Sequence, residues 1–230
     1  MKLLTIDTST TVCSVALSCD GELIAEYLVN QGGTLTSRIL GCVDTVLRGV
    51  GLTVDDLDGF GVALGPGSFT GLRVGIATVK GLALASGKPV AGFSSLAMLA
   101  MNLPWAAHPV CPMFDARKKE VYAGLYECRD LPLALAPDSV VSPEVYLDKI
   151  TGPVIFIGEG AVRYRALISD CLGEKALFAP FTAHLPRASA GALLVADAFA
   201  RGETVPLALL LPAYIRPSEA ELAKINSLSS

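Results

Sequence analysis

The chain has 230 residues, 52% of them hydrophobic and 17% charged, with a net charge of −4, a pI near 5.2 and a mean hydropathy of +0.53. That is enough apolar material for one large core or two ordinary ones, and it excludes a disordered chain. The acidic balance argues against a surface that grips a phosphodiester backbone over a broad front, and no apolar run approaches the roughly 20 residues of a membrane span.

Only Lys2 precedes the first short apolar strand, which soon meets Asp7, so no signal-peptide core is present and a cytoplasmic location is expected. The cysteines at 13, 19, 42, 111, 128 and 171 show no CxxC spacing and are expected to be reduced. Cys13 alternates with Val15 and Leu17 on one strand face and Cys42 falls inside a helix, the places of small buried hydrophobes.

Taken in order, residues 3–6 read as a short buried strand ending on Asp7-Thr8-Ser9, followed by alternating strands at 12–18 and 22–29 around the turn pair Asp20-Gly21. Thr34 or Thr36 can cap a helix whose apolar residues Ile39, Val43, Val46, Leu47 and Val50 recur at helical spacing. A buried strand at 60–64 leads into Gly65-Pro66-Gly67-Ser68-Phe69-Thr70-Gly71-Leu72-Arg73-Val74-Gly75, and a helix is expected from about 70 to 86. That helix is apolar or small at nearly every position, with Arg73 and Lys80 its only charges. Such a helix is buried on most sides, and each of Gly71, Gly75 and Gly81 costs about 1 kcal/mol relative to Ala unless another element comes close. A strand at 89–93 and a helix at 94–101 capped by Ser94 or Ser95 complete a βββαβαβα order.

The proline-bearing stretch 102–109 reads as a boundary, giving lobes at 1–104 and 105–230. The second lobe is expected to hold strands at 110–114 and 120–127 around the turn Asp115-Ala116-Arg117-Lys118-Lys119, and a helix starting at Ser142-Pro143-Glu144. A strand at 154–157 should lead into a helix reaching about 172, with a last helix at 189–201. Two lobes that each open with paired strands and then alternate strands and helices make an α/β protein.

The glycine-rich loop admits two readings, an anion or nucleotide cradle and a tight packing joint. A cradle would use Asp7, Gly65, Gly67, Ser68, Thr70 and Gly71, with Asp7 holding a hydrated Mg²⁺. Yet the loop is neither a Walker A motif, since Leu72-Arg73 stand where Gly-Lys-Ser/Thr would be required, nor a GxGxxG motif. The only histidines are His108 and His184, without HExxH or HxxxH spacing, and Ser68 has no identifiable base, so metal-dependent or serine hydrolase chemistry is not expected.

Several stretches carry a family resemblance: Leu4-Thr5-Ile6-Asp7-Thr8-Ser9, Cys13-Ser14-Val15-Ala16-Leu17, the run from 65 to 75, Asp115-Ala116-Arg117 with Glu120-Val121-Tyr122, and Tyr214-Ile215-Arg216-Pro217. Together they resemble the TsaB family, also called YeaZ, from one end of the chain to the other. The resemblance implies a two-lobed actin/Hsp70-like (ASKHA) fold, each lobe a mixed β-sheet with helices. It also implies a non-catalytic, activating subunit in the making of N6-threonylcarbamoyladenosine in tRNA. The implied partners are the larger paralogue TsaD, which transfers the threonylcarbamoyl group to adenosine 37, and the ATPase TsaE. A homodimer is implied for the isolated chain, with tRNA met only through the complex and no membrane association. No cofactor is required, although a nucleotide could sit at the partner interface.

Carried onto this sequence, the implied interface comprises Arg38, Ile39, Cys42, Val43 and Val46 on the first helix and Phe69, Thr70, Arg73, Val74 and Ala77 on the second. On that expectation Gly75→Leu or Val74→Glu should weaken assembly while leaving the monomer folded. Many relatives carry a His at the first helix's start, where this chain has Leu35 before Thr36, which removes any contact that depends on an imidazole. The alternative function is an actin-like ATPase or small-molecule kinase that uses Asp7 and the 65–71 loop on nucleotide phosphates.

Overall fold

The computed structural model describes residues 1–30 and 38–215. The expected caps at Thr34 and Thr36, the Leu35 departure, and Arg216 and Pro217 of the C-terminal motif lie outside them. The chain opens with a meander of β1 (Lys2–Asp7), β2 (Cys13–Cys19) and β3 (Glu22–Val29), whose second turn has both Asp20 and Gly21 at positive φ, 50° and 85°. Then come α1 (Ile39–Gly49), β4 (Gly59–Gly65), α2 (Phe69–Ser86), β5 (Val90–Ser94) and α3 (Ser95–Ala100). The sheet runs β3-β2-β1-β4-β5, antiparallel within the meander and parallel from β1 through β4 to β5.

The second sheet repeats the pattern with β6 (Val110–Arg117), β7 (Glu120–Cys128), β8 (Pro132–Val141), β9 (Val154–Ile157) and β10 (Ala176–Phe178), ordered β10-β9-β6-β7-β8. Two of its edge strands were not evident in the sequence. β8 contains Pro132 and Pro137 without clean alternation, which an edge strand tolerates because its outer N–H groups need no ladder partner. β10 has only three residues. The helix expected from 160 to 172 is two, α5 (Glu159–Arg163) and α6 (Arg165–Leu172), meeting at Tyr164; α4 (Pro143–Leu147) is capped by the Ser142 hydroxyl as anticipated.

Strand alternation decides what each face of the first sheet receives. On β4, Phe60 and Val62 join Leu4, Ile6, Val15 and Leu17 in a core covered by Ile39, Cys42, Val43, Val46, Ile76 and Val79 of α1 and α2. The opposite face of β4 carries Gly59 and Gly61, where a Cβ would run into Phe199 and Val195. Those two side chains belong to α7 (Ala188–Ala200), the last helix.

This packing corrects the expected lobe boundaries. The second lobe does not run from 105 to the end, because α7 lies on the first sheet. Its N-terminus is fastened there: Ala188 N–H donates to Ser14 Oγ at 2.8 Å, Ser189 N–H to Glu26 Oε1 at 3.0 Å, and Arg187 pairs with Glu26 at 2.8 Å. The chain beyond α7 stays with the first lobe, with Val205 N–H bonded to Val90 O and Leu210 in its core. Sequence periodicity identifies a helix and its apolar face but not which of two sheets that face will meet.

Candidate functional site

The glycine-rich loop joins β4 to α2, and its contacts are internal. Ser68 caps the helix by accepting the Gly71 N–H at 3.2 Å, while the Ser68 N–H is spent on the Ser9 carbonyl at 2.6 Å. The Thr8 hydroxyl donates to the Gly71 carbonyl at 2.8 Å. A Cβ at Gly67 would run into the Ser9 carbonyl, one at Gly71 into the Thr8 carbonyl and one at Gly75 into the Thr8 hydroxyl. The glycines therefore let the loop after β1 sit directly on α2. Gly65, at φ +127°, turns the chain beside the Ala213 carbonyl.

Asp7 lies beneath this joint, 0% exposed. Its Oδ1 accepts the Ser9 N–H at 3.0 Å, and its Oδ2 finds no partner among the described residues. Burial pushes its pKa up to about 6, only partly offset by its bonds with Ser9. The cradle expected of Asp7, Gly65, Gly67, Ser68, Thr70 and Gly71 is thus not brought together. Gly67, Ser68 and Thr70 reach a cleft of about 340 Å³ between the lobes, whereas Asp7, Gly65 and Gly71 do not line it.

That cleft is faced from the second lobe by Phe114, Asp115, Arg117, Tyr122 and Glu159. Asp115 is engaged by Arg163 at 2.7 Å and by the Arg117 backbone N–H at 3.0 Å. Burial first, and then the charge of Asp115, raises the Glu159 pKa. No lysine lines the cleft among the described residues. Arg117, Lys118 and Lys119 turn the β6–β7 hairpin with φ of 63°, 51° and 62°, a conformation that costs non-glycine residues about 1–2 kcal/mol each.

The other face of α2 is open. A groove of about 600 Å³ runs between α1 and α2, lined by Ile39, Leu40, Phe69, Thr70, Arg73, Val74, Ala77 and Thr78. Leu40 is 59% exposed and Phe69 43%, and Leu84 extends the stripe two turns beyond Ala77 at 77%. Large apolar side chains gathered on one helix face mark an interaction surface more often than scattered ones do. At the head of the groove the Arg73 guanidinium lies 3.7 Å from the centre of the Phe69 ring, its Nε–H donates to the Tyr214 hydroxyl at 2.9 Å, and Tyr214 stacks on Phe69 at 5.2 Å.

Of the expected interface residues, Phe69, Thr70, Arg73, Val74, Ala77 and Ile39 line this groove. Cys42, Val43 and Val46 do not: each is at most 4% exposed and faces the first sheet, as does most of Ile39. The apolar stripe of α1 is the stripe that folds the monomer, so its surface contribution comes from Leu40, one step off the stripe. Arg38 holds the N-cap position of α1 and is half-buried. Leu40, Thr78 and Leu84 were not singled out in the sequence, although an apolar residue off the core stripe is a signal that could have found Leu40. Gly75 is also corrected, since it faces Thr8 and not a partner.

A family model described as TsaD: tRNA N6-adenosine threonylcarbamoyltransferase matches residues 34–224. The chain is similar to the tRNA threonylcarbamoyladenosine biosynthesis protein TsaB of Bacillus subtilis, 33% identical over 231 residues that cover 99% of each. Among solved structures, YeaZ from Pseudomonas aeruginosa superimposes with a TM-score of 0.79 at 31% identity, covering 93% of this chain and 99% of that one. The (R)-2-hydroxyglutaryl-CoA dehydratase component A of Acidaminococcus fermentans, at 16% identity and a TM-score of 0.56 over 87% of this chain and 99% of that one, shares the two-lobed ASKHA-like fold alone. The glycine joint, the doubled sheet topology and full-length identity above 30% converge: this chain belongs to the TsaB/YeaZ family.

Proposed function

We propose that the chain acts in the formation of N6-threonylcarbamoyladenosine in tRNA as a non-catalytic, activating subunit, docking through the α1–α2 groove onto the larger TsaD-like paralogue, with a TsaE-like ATPase joining the assembly. The observation that carries this is the open face of α2, where Phe69, Arg73, Ala77 and Leu84 are exposed beside Leu40 while the opposite face is sealed by the β1–β2 loop. A monomer gains nothing from leaving such a stripe in water, and burying it against a partner removes its apolar area at about 25 cal/mol per Å². The same surface accommodates a second copy when the larger subunit is absent. The chain meets tRNA only through the complex and needs no cofactor of its own; any nucleotide would lie at the partner interface. The setting is the cytoplasm.

The kinase or ATPase reading is disfavoured by the sealed Asp7 and by a cleft in which Arg117 is the one lining cation among the described residues, its guanidinium 3.5 Å from Asp115. Reconstitution tests the proposal. Purified TsaD-like and TsaE-like subunits with tRNA, ATP and preformed threonylcarbamoyl adenylate as the donor should yield far more modified tRNA when this chain is added. Equal yield without it would remove the activating role. Turnover of Mg-ATP by the isolated chain in calorimetry would restore the kinase reading.

A further inference from the structure

The charge on the open face of α2 is of one sign. Arg73 and Lys80 are the only ionisable residues of the helix, and no carboxylate lines the groove among the described residues. Arg73 is also held in place, clamped over Phe69 with its Nε bonded to Tyr214. Tyr214 is itself positioned from the strand end, because the neighbouring Ala213 N–H donates to the Leu64 carbonyl at 2.8 Å. Once Nε is used, the two terminal nitrogens present a planar fork of N–H donors from an exposed position, and they have no partner among the described residues. A guanidinium ordered in advance loses little rotamer freedom on binding, and its fork matches a carboxylate.

A two-fold contact sets a face against itself. With this face, Arg73 and Lys80 of one copy would meet an α2 that offers no acid. The exposed acid of α1 is Asp44, already bonded to Arg48 at 2.7 Å. A second copy therefore brings like charges together, whereas a different chain can bring the missing carboxylate.

We propose that Phe69, Arg73 and Tyr214 form a receptor for a carboxylate side chain of the larger subunit, and that this pairing favours that subunit over a second copy of this chain. The proposal rests on the reading of the α1–α2 groove as the docking surface. It is tested with the full chain by calorimetry against the TsaD-like subunit at low and high salt, and by sedimentation for self-association. Arg73→Met keeps the apolar contact with Phe69 and removes the charge. It should weaken binding of the larger subunit by about tenfold or more and flatten its salt dependence, while self-association stays equal or tightens. Tyr214→Phe, which keeps the ring stack and frees the guanidinium, should give a smaller loss. Arg73→Met binding the larger subunit as tightly as the parent, with the same salt slope, would overturn the proposal. So would an equal loss in both associations. Ala77→Glu separates the two levels: if it abolishes binding while Arg73→Met is neutral, the groove stands and the carboxylate receptor falls. If Ala77→Glu changes neither association, the docking surface falls and the receptor with it.

Discussion

The two faces of α2 are both rich in small and apolar residues but meet opposite surroundings. One face, with Gly71, Leu72, Gly75, Ile76, Val79 and Ala83, is buried against the sheet and the β1–β2 loop; the other, with Phe69, Arg73, Ala77 and Leu84, is exposed. On the buried face glycine is required because backbone and hydroxyl atoms of Thr8 occupy the space a Cβ would need. On the open face Gly81 has nothing within 4 Å of a Cβ position among the described residues, so its smallness answers to no contact with them. Small and apolar residues on both faces leave their roles open; the neighbours make one a joint and the other a surface.

The largest way to break this comparison is on the buried face. Gly75→Leu places a branched side chain against Thr8, and it should destabilise the monomer by more than about 3 kcal/mol, read as a large drop in thermal midpoint or as insoluble protein. A variant that melts like the parent would mean that α2 is free to shift away from β1. Beneath the same joint, Asp7 should impose a pH-dependent cost. Its folded pKa is raised from 3.8 to about 6, so the native state binds the proton more tightly and stability falls as pH rises through that window. Asp7→Asn, which can keep the bond from the Ser9 N–H, should therefore raise stability at pH 7.5 by up to about 3 kcal/mol and by little near pH 4. Denaturant titrations at the two pH values check it, and an equal effect at both would contradict it.

The open face should respond in the opposite sense. Ala77→Glu leaves the monomer's stability within about 0.5 kcal/mol of the parent but should weaken association with the larger subunit at least tenfold, because a carboxylate is forced into a desolvated contact. Thermal melts alongside calorimetry separate the two readouts. Val74 is a less clean probe, being half-buried against the α1 side of the core. The smallest effect is expected at the far end of the stripe. Leu84→Ser should leave the melting temperature unchanged and improve solubility of the isolated chain, and a clear destabilisation would place Leu84 in a monomer contact.

Much of the architecture was legible because local signals agreed with the fold. The strands at 22–29 and 154–157, the Asp20-Gly21 turn and the Ser94 and Ser142 caps all depend on a few neighbouring residues, and all appear where the sequence places them. The candidate site was legible only in outline. Helical spacing put Ile39, Cys42, Val43 and Val46 on one stripe, but a stripe is apolar whether it meets its own sheet or another protein. Arg73 was visible as a charge in an apolar helix, while its clamp depends on Tyr214, 141 residues away.

What the sequence determined by itself was most of the elements, all but the two edge strands of the second sheet, their strand-first order and, through the run from 65 to 75, the family. Those depend on periodicity, caps and motif spacing, which are properties of short stretches. What only the tertiary structure decided was which side of each element is used: that Gly71 and Gly75 face Thr8, that α7 returns to the first sheet over Gly59 and Gly61, and that Asp7 is sealed away from the cleft. These are contacts between segments far apart in the chain, and steric fit across such distances leaves no local mark on the residues that make it.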